Sequence, residues 1–100
     1  MIPVSWTDGA IGDLRAICDY IALDSPRLAH LFVERIFASV ERLSQFPKSG
    51  RVFPELGKDE IREVIHEKYR VVYLLDDDCV YVLTVFHGAK RPPLGELDIA

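Results

Sequence analysis

Cysteine is almost absent from this chain. Cys18 and Cys79 are the only two, they lie far apart, and each sits inside an apolar pattern. That argues against a disulfide scaffold and predicts buried, reduced thiols in a cytoplasmic protein. No C-x-x-C pair occurs, and His30, His66 and His87 are isolated, so zinc-ligand spacing is missing and no metal or other cofactor is expected. Long apolar runs are missing too. None approaches the roughly 20 residues that span a bilayer, so no membrane association is expected. The opening MIPVSWTDG has neither the basic stretch nor the apolar stretch of a signal peptide. A basic excess is also lacking: the formal net charge is −4. Strong nonspecific nucleic-acid binding draws its affinity from neutralising phosphates, so this balance counts against it without excluding a local basic patch.

Other chemistries are missing by motif. No glycine-rich phosphate loop follows a strand. The five serines have no elbow or triad context. Asp76-Asp77-Asp78 lacks the glycine and terminal glutamate of a calcium loop and reads as a solvated hairpin turn. There is no internal repeat and no low-complexity tract.

What is present is an ordinary small globule. One hundred residues, 49% hydrophobic and 28% charged, make one domain over 1–100 with a single core. Ile2–Trp6 can form a short strand, and Pro3 places it at a sheet edge because proline cannot donate to a ladder. Thr7 or Asp8 then caps a helix whose apolar stripe is Ala10, Ile11, Leu14, Ile17, Cys18 and Ile21. Asp24-Ser25-Pro26 is a boundary: serine caps, and proline takes the first helical position. The second helix is expected to run to about Gln45. Its stripe of Ala29, Phe32, Val33, Ile36, Phe37, Val40 and Leu43 makes the pair an antiparallel hairpin. Residues 47–60, with two prolines and two glycines, read as a long loop of the kind that often carries function. Ile61–His66, Tyr69–Leu75 and Cys79–His87 read as three strands joined by short polar turns. Residues 89–100 read as an irregular tail. The expected fold is α+β: a short N-terminal strand, a helix hairpin and a three-stranded antiparallel meander. The hairpin should cover one sheet face and leave the other open.

The chemistry-bearing residues left over are Glu55, Arg62, Arg70, Tyr73, His87 and Lys90. An arginine inside Y-R-V-V-Y needs a reason. It either pairs with Glu63 or Glu67 on the neighbouring strand or serves as a donor to phosphate or to a partner carboxylate. His87 at a strand end is either a structural hydrogen bonder or a proton donor or acceptor near neutral pH. Register decides whether the two cooperate. A two-residue loop at Asp77-Asp78 pairs Arg70 with Val85 and puts Arg70 and His87 on one face; a three-residue loop puts them on opposite faces, unless a bulge intervenes.

The order and spacing of VSWTDGAIGDLRAICDYIALDSPRLAHLF, FPKSGRVFPEL, REVIHEKYRVVYLL and VLTVFHGAK resemble the RelE/ParE superfamily of type II toxin–antitoxin toxins, often labelled plasmid stabilisation proteins. The resemblance covers nearly the whole chain. It implies a strand–helix–helix–three-strand fold and a cognate antitoxin that wraps the toxin, with a homodimer or a toxin–antitoxin hetero-oligomer as the assembly. It also implies one of two targets. RelE-like members cleave mRNA on the ribosome, whereas ParE-like members poison DNA gyrase and are not nucleases. If the chain cleaves RNA, the matching residues are Glu55 as base, Arg70 as phosphate clamp and His87 as acid, for metal-independent attack of a ribose 2′-hydroxyl on its phosphate. Arg51, Arg62, Tyr73, Lys90 and Arg91 are the expected contacts to partner or substrate. The acidic balance, and Gly88 rather than an aromatic after His87, depart from the RNA-cleaving pattern. GRVFPEL and YRVVY favour the ParE-like side. Gyrase inhibition is therefore the leading expectation, ribosome-dependent mRNA cleavage the second, and a non-toxic binding module of the same fold the third.

Overall fold

The computed structural model describes residues 1–90 and 92. Strand β1 (Val4–Trp6) leads into helix α1 (Asp8–Ala22), a three-residue connection, and helix α2 (Pro26–Glu41), which tightens into a 3-10 turn over Arg42–Ser44. Strands β2 (Arg51–Val52), β3 (Ile61–His66), β4 (Tyr69–Leu75) and β5 (Val80–His87) follow. The Thr7 hydroxyl accepts from the Ala10 amide, the Ser25 hydroxyl accepts from the Leu28 amide, and Pro26 opens α2, so the helix starts are capped as their residue types dictate. Among the described residues no helix is long and apolar enough to cross a membrane. Both cysteines are free.

The sheet is larger than a meander. It has five strands in the order β1-β5-β4-β3-β2, and it is mixed. β1 lies parallel to β5, from Val4 opposite Val80 to Trp6 opposite Val82, and Pro3 sits just outside the paired edge segment. The segment read as one long loop contains β2, antiparallel to β3 with Arg51 opposite Glu63. The 3-10 turn also ends the helical segment at Ser44, after the α-helix proper has stopped at Glu41.

The helices cover one face. Ala10, Leu14, Phe32, Ile36 and Val40 bury against Val71, Val82 and Val85. The opposite face is not left open. Residues 53–60 fold back over it as a strap. Phe53 is fully buried with Ile61, Val72 and Phe86, and Leu56 packs beside them. The strap closes on itself because Leu56 and Gly57 both donate to the Phe53 carbonyl, with Gly57 at φ 64 where a side chain is strained.

One irregularity sets which side chains share a face. The β4–β5 turn is the two-residue kind: the Asp76 amide donates to Cys79 and Leu75 lies opposite Val80. Farther along, Val72 faces Thr84 while Tyr73 faces Val82, so Leu83 is an extra residue on β5. Thr7 reads this bulge. Its amide and hydroxyl both donate to Val82 O, and the hydroxyl also approaches Leu83 O, tying the start of α1 to the kink. The consequence is a shift of one position beyond the kink. Arg70 lies opposite Phe86 rather than Val85, and Tyr69 lies opposite His87.

Candidate functional site

Arg70 is the centre of the strap-covered face. Strand alternation turns Val71 towards the helices and Arg70 and Val72 towards the strap. Arg70 is opposite Ile65, and Glu63 lies two positions along β3 on the same face, within diagonal reach. Arg70 Nε donates to Glu63 Oε1 at 2.6 Å. Its two Nη atoms donate to the two oxygens of Glu55 at 2.7 Å each. The guanidinium carbon lies 5.1 Å from the Phe53 ring centroid and 5.2 Å from that of Phe86. Glu63 is 1% exposed, and its other oxygen accepts from Arg51 Nε at 2.5 Å.

Arg51, Glu63, Arg70 and Glu55 thus form one continuous chain of two cations and two anions. The bidentate bond from Arg70 holds the Glu55 carboxyl below the usual carboxylate range. The same bond, with that to Glu63, pushes the Arg70 guanidinium further up. A carboxylate held this way is a weak proton acceptor at neutral pH, because a general base works best when its pKa lies near the working pH. A guanidinium already satisfied by two carboxylates has less to offer an incoming phosphate.

Two other expected contacts are occupied by the fold. Arg62 donates to the carbonyls of Asp59 and Gly50 and to the Asp59 carboxylate. Tyr73 is fully buried; its hydroxyl donates to Pro47 O and accepts from the Gly50 amide. Burial raises the Tyr73 phenol above its ordinary value. Together they pull the 47–50 turn against the sheet.

His87 is placed elsewhere. The bulge puts it on the helix-side face, with its ring against Tyr69 at 5.3 Å between centroids and its Nδ1 accepting from the Ala89 amide at 3.1 Å. It lines a cleft of about 730 Å³ between α1 and the end of β5, together with Tyr20, Tyr69 and Lys90. Desolvation raises the Tyr69 phenol. Glu55 and Arg70 therefore meet, and His87 does not join them. Arg51 adjoins them through Glu63, Lys90 stands with His87, and Arg91 lies outside the described residues. Among the described residues no three His, Cys, Asp or Glu side chains are placed to share a metal ion.

The family model for the ParE toxin of the type II toxin–antitoxin system parDE matches residues 4–92. The chain is a member of the ParE toxin family. Toxin RelE2 of Caulobacter vibrioides is 33% identical to this toxin over 91 residues, which is 90% of this chain and 99% of that protein. Among solved structures, the chromosomal ParDE system of P. aeruginosa matches the toxin with a TM-score of 0.72 at 26% identity, covering 87% of this chain and 96% of that one. The RelBE2 toxin–antitoxin complex of Mycobacterium tuberculosis matches with a TM-score of 0.58 at 25% identity, covering 90% and 97%. The toxin thus carries the RelE/ParE fold: two helices on a mixed five-stranded sheet.

Two residues matter more in this toxin than their sequence context suggests. Glu63 is noticeable only as a charge at a core-phase position in Ile61–Ile65, and its complete burial depends on two arginines from different strands. Asp13 sits on the polar side of α1, yet its Oδ2 accepts from the Thr84 hydroxyl and the Val85 amide where β1 has ended. No local pattern marks that role.

Proposed function

We propose that this toxin acts by inhibiting DNA gyrase, and through it replication, with a cognate antitoxin as its neutraliser. The observation that supports the reading is the separation of the RNA-cleaving triad. Glu55 and Arg70 are locked to one another, and His87 stands on the opposite sheet face with a different set of neighbours. A base, a clamp and an acid must converge on one phosphate to catalyse attack by a 2′-hydroxyl. The match to the ParE toxin family agrees with this reading. Supercoiling by purified gyrase is the test. Added toxin should stop supercoiling and accumulate cleaved DNA; unchanged supercoiling with no cleavage complex overturns the proposal.

The second reading, ribosome-dependent mRNA cleavage, is favoured by the similarity to Toxin RelE2. Primer extension on ribosome-bound mRNA tests it with His87→Ala as the control. Arg70→Ala is a poor control, because loss of that side chain also releases the strap. Message cleavage that vanishes in His87→Ala would replace the gyrase reading.

A further inference from the structure

β2 is only two residues long, and its brevity has a cause. Gly50 turns inward, its amide on the Tyr73 hydroxyl and its carbonyl held by Arg62, so the chain leaves the sheet beside Glu63. Among the described residues the rest of β3 has no outer neighbour. The pairing fixes which backbone groups face out. Phe53 N donates to Ile61 O on the β2 side, so alternation points Glu63 and then Ile65 the same way. The N–H and C=O of Ile65 therefore face the open edge, and among the described residues neither meets a partner from outside the strand. The Ile65 side chain is 55% exposed.

Cations flank this edge. Arg35 and Ser39 on α2 and Arg42 at the start of the 3-10 turn fall at i, i+4 and i+7 and make one stripe. Ser39 and Arg42 line a groove of about 400 Å³ with Ser49, Arg51, Val64 and Ile65. Arg35 reaches the far end, 3.8 Å from Glu67, with both side chains 60% exposed. The opposing carboxylates are that loosely paired Glu67 and the fully buried Glu63. Three guanidiniums, Arg51 already bonded to Glu63, against these two carboxylates leave a local excess of one positive charge in a chain of net charge −4.

We propose that the open edge of β3 docks an extended, acidic segment of a partner protein, which adds as a strand beside Ile65 while its carboxylates meet Arg35, Arg42 and Arg51. A nucleic-acid backbone would use the cations but not the free N–H and C=O pair or the exposed isoleucine. Strand addition uses all three: main-chain bonds supply affinity, and alternate side chains supply selectivity. The inference is independent of which target the toxin poisons.

The test is a titration of the full-length, ¹⁵N-labelled toxin with a blocked ten-residue peptide that alternates glutamate and threonine around a central valine. The Ile65 amide should be among the most shifted signals. Arg35→Gln with Arg42→Gln should weaken binding about two- to fivefold per arginine, as for partly exposed ion pairs. Ile65→Pro should abolish binding, because it removes the outward donor. Ile65→Lys retains the backbone and guards against a folding failure in the proline variant; it should still shift at residue 65. The proposal is overturned if the Ile65 amide does not move. It is also overturned if a lysine-for-glutamate peptide binds equally, or if a ten-residue oligothymidylate binds at this edge in preference to the peptide. Self-association of the arginine variants with undiminished peptide binding would overturn it too, since the arginines would then only guard the edge against its own copies.

Discussion

Replacing Arg70 with methionine separates a structural arginine from a spare one. The guanidinium makes two hydrogen bonds to Glu55 and one to Glu63. The two carboxylates respond differently to its loss. Glu55 has a 29% exposed side chain and can rehydrate, so its share is that of a good surface pair, about 0.5–1 kcal/mol. The Glu63 side chain is 0% exposed and keeps only Arg51. A buried carboxylate that loses one of two charged partners costs about 2–4 kcal/mol. The expected loss is therefore about 2.5–5 kcal/mol, against a total stability of about 5–15 kcal/mol for a domain. Urea unfolding with an m-value of about 1.5 kcal/mol/M should show the midpoint falling by roughly 2–3 M. Adding Glu63→Leu to Arg70→Met removes the stranded anion and should recover about 2 kcal/mol, a coupling that neither single change reveals. If Arg70→Met stays within about 0.5 kcal/mol of the parent, or the two losses simply add, the charge chain does not hold the strap as described.

Acid should loosen the same contact. The Glu55 pKa is depressed in the folded state, so its contribution is fully present above the unfolded value of about 4.3 and fades as pH falls through the lower folded value; the stability gap between the parent and Glu55→Gln should narrow as pH falls below about 4.3 in urea melts. Gly50→Ala should destabilise by about 2–4 kcal/mol, because its Cβ would lie 2.5 Å from the Tyr73 hydroxyl and 2.6 Å from the Glu63 carbonyl, seen as a lowered Tm. Glu67 occupies the left-handed region at φ 55 in the β3–β4 turn, so Glu67→Gly should raise stability by about 0.5–1 kcal/mol in the same assay. Asp13→Ala leaves the Val85 amide without its partner and should cost about 1–3 kcal/mol, with faster hydrogen exchange at Val85.

The helices, β3, β4 and all but the first residue of the third predicted strand were legible because their signals are local. Thr7 and Ser25-Pro26 mark starts, and period-3.6 and period-2 patterns mark faces. The parallel pairing of β1 with β5 was not legible, since it depends on contacts between the two ends of the chain. β2 was invisible for a similar reason: two residues make a strand only because Tyr73 and Arg62 capture Gly50 from another strand. In the sequence the strap has only the composition of a loop, and Phe53 is one residue of it; its pocket is made by Ile61, Val72 and Phe86 from three strands. For the site, the strand pattern offers Glu63 or Glu67 as partner to Arg70, and the structure pairs it with Glu63. The bulge at Leu83 was the decisive unknown. The two-residue turn at Asp77-Asp78 alone would have put Arg70 and His87 together, and one extra residue on β5 parted them.

The pairing of the first strand with the last also governs when this protein can exist. Thr7 finds its acceptor on Val82, 75 residues away. A chain still emerging from its own synthesis therefore has no seat for β1 and no anchor for the start of α1 until β5 has been made. Contacts this distant are slow to form, because a large loop must close before they repay its entropy. A product cut short before β5 cannot complete the sheet, and neither the first strand nor the helix that follows it finds its anchor.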